Sequence, residues 1–186
     1  PAVTGPAGMT TPAAILVAPQ ETFAFLFDVT DPSHPVLDHA LAVTGSTTTG
    51  RMVQSTVYLV ADEWIWDVNG TVLPPRLCAD AVCRPLAPGE IYRDPQNADA
   101  WDYTNLLAVD VRTGDSQPTS IVTGGYSVLY MSPTSLYLAF FKWSMPAWGS
   151  GIAISPTTMG TGWTTVYKLR AYGLDVTTVA SGAVPG

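Results

Sequence analysis

Residues 105–111 read NLLAVDV and residues 23–29 read FAFLFDV. Each is an apolar run of strand length that closes on Asp-Val. Each is followed by a turn: Thr30-Asp31-Pro32-Ser33-His34-Pro35 in one case, Thr113-Gly114-Asp115 in the other. A short strand and a Gly-containing turn come next, and each set ends in an aromatic strand, VYLV at 57–60 or LYLA at 136–139. Residues 164–169 (TTVYKL) open like a third copy. Branched and aromatic side chains suit a pleated, half-buried surface, so the repeating unit is a set of β-strands.

Working outward, residues 36–43 (VLDHALAV) alternate apolar and polar, the period of a half-buried strand. Further strands are expected at 51–53, 56–61, 119–122, 127–131, 135–142 and 175–180, with a polar turn over 45–50. Residues 1–14, rich in Pro, Gly, Ala and Thr, form an extended arm. The expected organisation of 15–186 is a first repeat over 15–63, an insertion over 64–103, a second repeat over 104–142, a loop over 143–162, and the start of a third repeat over 163–186. The stretch 64–103 holds turns, prolines and both cysteines. A structureless loop of that length is unusual inside a domain, so it is read as an ordered insertion.

Short strands in repeated sets with insertions between them suggest propeller blades. The chain also resembles the secreted proteins with a C-terminal β-propeller domain distantly related to WD-type repeats. The stretch from Phe27-Asp28-Val29 through Asp31-Pro32-Ser33-His34-Pro35 is similar to one element of that family. Gly50-Arg51-Met52 with Val57-Tyr58-Leu59-Val60, Tyr130-Met131-Ser132 with Leu136-Tyr137-Leu138, and Ala180-Ser181-Gly182-Ala183-Val184-Pro185-Gly186 follow in the family's order. Gly50-Arg51 stands where the family tends to have Ser-Arg. The resemblance implies an all-β, partial or atypical β-propeller of antiparallel blade-like sheets with two long ordered insertions. It also implies a cell-surface or extracellular binding role. An open propeller leaves strand edges bare and inviting to another chain, so the expected partners are other protein chains or the remainder of a propeller, a homo-oligomer included.

Composition agrees with this class. Hydrophobic residues make up 47% of the 186 and charged residues only 12%, about half the usual charged share. The net charge of -7 without a basic cluster argues against nucleic-acid partners, which need clustered Lys and Arg. No apolar run is long enough for a membrane-spanning helix. The chain opens at Pro1 without a leader, and is read as a processed secreted chain or a piece of a longer one.

Cys78 and Cys83 stand in a CxxxxC spacing. Zinc would need two further ligands, and His34 and His39 lie far upstream. A small-loop disulfide is favoured over two free buried thiols, which implies an oxidising, extracellular setting. Asn69-Gly70-Thr71 fits a glycosylation acceptor and fits an Asn-Gly turn better. Trp64, Trp66, Trp101, Trp143, Trp148 and Trp163 gather in or beside the two insertions. Exposed, they would stack on a glycan or form a protein interface; burial is favoured for most, because Trp is highly buried on average. Met145, Pro146, Trp148 and Met159 would make a sticky patch if exposed.

No catalytic, cofactor or metal site emerges. Asp28, Asp31, Asp38, His34 and His39 form the densest polar cluster, and are read as turn-bracing acids beside surface histidines. Asp110, Asp115 and Arg112 read as an exposed ion pair. Ser132 and Ser135 lack the context of an elbow nucleophile, and Glu21, Glu63 and Glu90 are scattered. The leading expectation is a non-catalytic structural or protein-interaction module. The alternatives are a carbohydrate-binding module that uses the loop tryptophans, or a hydrolase that collects Asp residues at the blade tops.

Overall fold

A computed structural model describes residues 20–65, 67–68, 71–94, 101–124, 127–143 and 162–185, with the backbone alone at 67–68, 142–143 and 162–163. The strands are β1 (Glu21–Asp28), β2 (Val36–Thr44), β3 (Ser46–Val53), β4 (Thr56–Trp64), β5 (Asp67–Val68), β6 (Thr71–Val72), β7 (Arg76–Ala79), β8 (Val82–Pro85), β9 (Ile91–Arg93), β10 (Asp102–Asp110), β11 (Ser116–Thr123), β12 (Ser127–Met131), β13 (Ser135–Trp143), β14 (Gly162–Tyr172) and β15 (Asp175–Pro185). One 3-10 turn, Pro88–Glu90, is the only helical element among the described residues. The all-β expectation holds.

Three principal sheets form. The first has the order β1-β2-β7-β8, the middle one β3-β4-β10-β11-β9, and the third β12-β13-β14-β15. All neighbours are antiparallel except β11 and β9, which pair in parallel. The sheets do not follow the repeat boundaries read from the sequence. β1 and β2 belong to the first sheet but β3 and β4 to the middle one, although all four lie in 15–63. The stretch 64–103, read as an insertion, supplies β7 and the edge strand β8 to the first sheet and the edge strand β9 to the middle sheet. Residues 127–185 make one sheet rather than the end of a second unit and the start of a third. The polar stretch read as a turn over 45–50 is mostly strand, because Thr47, Thr48 and Thr49 are β-branched. The chain reverses at Gly45, with φ +113°. A Cβ there would lie 3.0 Å from the Asp62 carbonyl oxygen, so glycine is needed for both conformation and space.

The middle sheet is covered on both sides. Tyr58, Val60, Leu106, Ala108 and Ile121 pack against Leu136, Leu138, Phe140, Tyr167 and Leu169 of the third sheet. On the opposite face Leu59, Ala61, Leu107 and Val109 pack against Leu26, Leu41, Val43 and Leu77 of the first. Period-2 alternation along β4 and β10 divides the two cores. Tyr58 Oη donates to the Gly173 carbonyl at 2.8 Å, which ties the middle sheet to the β14–β15 turn.

The outer faces of the stack are different. Phe23, Phe25 and Phe27 alternate with the inward Ala24 and Leu26, and each is 54–56% exposed. Phe23 and Phe25 stack with ring centroids 5.9 Å apart, beside the small Ala42 and Ala40 across the β1–β2 ladder. On the far side of the third sheet Val128, Tyr130 and Tyr172 are exposed.

Cys78 and Cys83 form a disulfide, as expected, and face each other directly in the β7–β8 hairpin. The two-residue turn between these strands, Asp80-Ala81, has positive φ at both positions, +46° and +71°. That is the pattern of the turn that matches the twist of a hairpin. Asp80 reaches back to β2, accepting from the Ala40 N–H at 3.0 Å and bonding His39 Nδ1 at 3.1 Å.

Candidate functional site

The polar residues of the middle sheet collect at one end of its strands. Cross-strand pairing places Asp62 opposite Thr104 and Trp64 opposite Asp102. These four therefore share the face turned to the third sheet, while Glu63 and Tyr103 take the other. Beyond the last pair, Ile65 N–H donates to the Trp101 carbonyl at 2.8 Å and Trp101 N–H to the Thr123 carbonyl at 2.9 Å. These bonds fix Trp101 beside the strand end.

A cleft of about 270 Å³ opens here, bounded by Gln20, Ser46, Asp62, Trp64, Trp101 and Asp102, with Glu63 and Gly124 completing it. Asp62 is well held: Thr48 Oγ1 donates at 2.9 Å, Thr104 Oγ1 at 2.8 Å and the Ser127 N–H at 3.2 Å. Glu63 accepts from Thr44 Oγ1 at 2.6 Å and from Asn105 Nδ2 at 3.0 Å. Burial raises its pKa, and those two hydrogen bonds offset part of the rise. Asn105 also donates to the Thr44 carbonyl and accepts from Ser120 Oγ, each at 2.8 Å, so its buried amide is satisfied on both sides.

Asp102 is the exception. Its residue is 8% exposed, and among the described residues its carboxylate has neither a hydrogen-bond donor nor a cationic partner. Burial first, and the nearby Asp62 charge second, push its pKa up to about 6. At the mouth, Trp64 is 60% and Trp101 67% exposed. The sequence favoured burial for most tryptophans, and for these two the structure reverses that. Trp66 and Trp148 lie outside the described residues, as do the side chains of Trp143 and Trp163.

A second groove, about 340 Å³, runs between residues 89–92, 117–119 and 174–178. Of its two acids, Glu90 is held by both arms of Arg84 at 2.7 Å and Asp175 lies 3.7 Å from Arg170.

The family model described as "Beta propeller domain" matches residues 4–186. The chain belongs to this beta propeller family. No curated protein and no solved structure matches it.

Within the propeller sheets the other residues singled out from sequence have local roles. Asp28 accepts from the Thr30 N–H at 2.8 Å, and Asp31 from the Ser33 N–H at 3.0 Å and from His34, so both brace the turn as expected. His39 is held between Asp80 and Asp38. The Asp80 hydrogen bond is the main cause of its raised pKa. Asp110 pairs with Arg112 at 3.5 Å, and Asp115 accepts from Thr113 Oγ1. Ser132 Oγ donates to the Ser135 carbonyl, which uses that hydroxyl in a turn. Glu21 pairs with Arg76. Asn69, Met145, Pro146 and Met159 lie outside the described residues.

Sequence reasoning missed Asp62 and Asp102. The signal lay in the dipeptides Glu63-Trp64 and Trp101-Asp102, where an acid sits next to a tryptophan at each of two strand ends. Their juxtaposition depends on a register that spans the whole of 64–102.

Proposed function

We propose that this propeller chain is an extracellular, non-catalytic module that binds other protein chains through the outer faces of its sheet stack. The carrying observation is the row Phe23, Phe25 and Phe27, half-exposed on one face of a sheet whose other face is core. Contiguous exposed apolar surface of this kind marks interaction sites. In a propeller each sheet packs between two others, so the face fits a further sheet supplied by another chain.

Charge favours a second copy of this chain in that place. The first sheet and its turns carry Glu21, Asp28, Asp31, Asp38 and Asp80 against Arg76 and Arg84, a net acidic end. The third sheet carries Lys142, Lys168 and Arg170 against Asp175, a net basic end. Head-to-tail packing of unlike ends gives complementary potentials. The Cys78–Cys83 disulfide supports an oxidising location. A non-catalytic role is supported by the occupation of Asp28, Asp31 and Asp110 in turn hydrogen bonds.

Light scattering after size exclusion tests the reading. The expected mass at micromolar concentration is that of two or more chains, falling toward one chain in Phe25→Ser. A wild-type monomer throughout the micromolar range would overturn association through these faces.

A further inference from the structure

The geometry points to the cleft between Trp64 and Trp101 as a binding site for a guanidinium group, the arginine side chain of a partner protein seated over Asp102. This rests on the protein-interaction reading and adds the chemistry of one contact.

The first observation is the unused carboxylate. Asp102 is more than nine-tenths buried, lines the cleft and, among the described residues, has no donor or cation on its carboxylate. Buried carboxylates are nearly always paired or hydrogen-bonded. Asp62 lies beside it with hydrogen bonds from three residues, and Glu63, from the opposite face of the sheet, also borders the cleft. Among the described residues lining the cleft there is no Lys, Arg or His. Arg76 acts on Glu63, but Asp102 feels only the like charge of Asp62, so a cation entering the cleft relieves the repulsion between Asp62 and Asp102.

The second observation, independent of the acids, is the pair of indoles at the mouth. Trp64 and Trp101 are both largely exposed, an unusual state for the largest aromatic side chain. Their faces can carry a cation on the electron-rich ring. Carboxylates at the base with indoles at the rim form a site with two demands. The ligand must be positively charged, and it must tolerate apolar walls. A hard metal ion meets only the first, since it wants six or more converging oxygens, and the described residues contain no group of three or more acids, histidines or cysteines placed to hold one. A neutral sugar meets only the second. Guanidinium meets both: it is planar, always charged, weakly hydrated, able to stack on an aromatic face and to hydrogen-bond a carboxylate with two N–H groups at once.

Titration of the intact chain with N-acetyl-arginine amide, followed by tryptophan fluorescence and calorimetry, tests this. Saturable binding is expected with Kd on the order of 1–10 mM, as suits a single side chain taken out of its peptide. N-acetyl-citrulline amide, of the same shape without the charge, should bind at least tenfold more weakly. Asp102→Asn should weaken arginine binding at least tenfold with an unchanged far-ultraviolet circular dichroism spectrum. Trp101→Ala, at an exposed position, should weaken it severalfold and serves if the asparagine variant does not fold. Equal response to the arginine and citrulline probes would overturn the proposal, as would unchanged arginine binding in both variants. Saturable binding of a neutral probe such as cellobiose without the arginine probe would also overturn it, and would make the cleft a sugar subsite. Both probes are monovalent and are titrated into a chain whose association state is measured separately. A monomer that binds arginine therefore sinks only the sheet-face reading, and an oligomer that ignores arginine sinks only this one.

Discussion

The middle sheet and the first sheet are built from similar apolar residues and are used in opposite ways. Along β10, residues 102–109 are all buried, because the first sheet covers one face and the third sheet covers the other. Along β1 the apolar residues also occupy both faces, yet only Ala24 and Leu26 face a core, and three phenylalanines face outward. Composition does not separate the two strands; a covering layer does. A strand that is apolar on both faces is written for a position between two sheets, and β1 has one of the two.

The sharpest way to break the comparison is to remove equal kinds of side chain from each region. Leu107→Ala, at a fully buried position in the middle sheet, should cost about 3 kcal/mol or more of unfolding free energy. Phe25→Ser should leave the denaturant midpoint of the monomer within about 0.5 kcal/mol of wild type while changing the mass in solution. Equal losses of stability would mean that β1's outer face is covered within the chain. Urea titrations at low protein concentration separate these outcomes.

Asp102→Asn sharpens the contrast from the polar end of the middle sheet. The folded carboxyl holds its proton up to about pH 6, against an ordinary value of 3.8. The folded state therefore binds more protons between those values, and stability falls as pH rises through that window. Above pH 6 the full penalty is present and the neutral amide escapes it. The variant should melt about 2–6 °C higher than wild type at pH 7.5 and at the same temperature at pH 3. An equal gain at both values would show that ionisation of Asp102 is not its cause. A gain confined to pH 7.5 makes the charged carboxylate a stability defect kept at a binding cleft.

The smallest expected effect is at the edge of the first sheet. Ala81 holds φ +71°, a conformation that costs an L-residue about 1 kcal/mol and glycine nothing. Ala81→Gly should raise the midpoint by about that amount, readable by thermal melts. A loss instead would mean that the Cβ has a packing role that outweighs the backbone term.

Much of this was readable from local pattern. The alternation in 36–43, the apolar runs at 23–29 and 105–111, and the aromatic strands around Tyr58 and Tyr137 all became strands. CxxxxC became a disulfide. The partition into sheets was not readable, because Arg76–Ala79 and Val82–Pro85 are four-residue strands, too short and too close to prolines to show a period. The first is placed by pairing with β2 more than thirty residues earlier, and the second follows through its hairpin with the first. The first part of β3, residues 46–50, was hidden by its threonines, whose polarity suggests a turn while their branching favours a strand. The cleft was unreadable for a related reason. Nothing in Trp101-Asp102 announces that a carboxylate will line a cleft with no partner among the described residues; that follows from the β4–β10 register and from Asp62 arriving on the same face.

The bond from Tyr58 to Gly173 joins residues 115 positions apart, and it bears on the order in which the molecule can be assembled. One entire wall of the larger core, Leu136 to Val176, is supplied by β13, β14 and β15. Until those strands exist, the middle sheet's apolar face at Val60, Leu106 and Ile121 has nothing to close against. During synthesis it emerges well before its cover. Folding dominated by such distant pairings is slow, and the waiting face is open to the wrong neighbour in the meantime. A nascent chain stalled after β11 should therefore be captured by holding chaperones far more strongly than one stalled after β15.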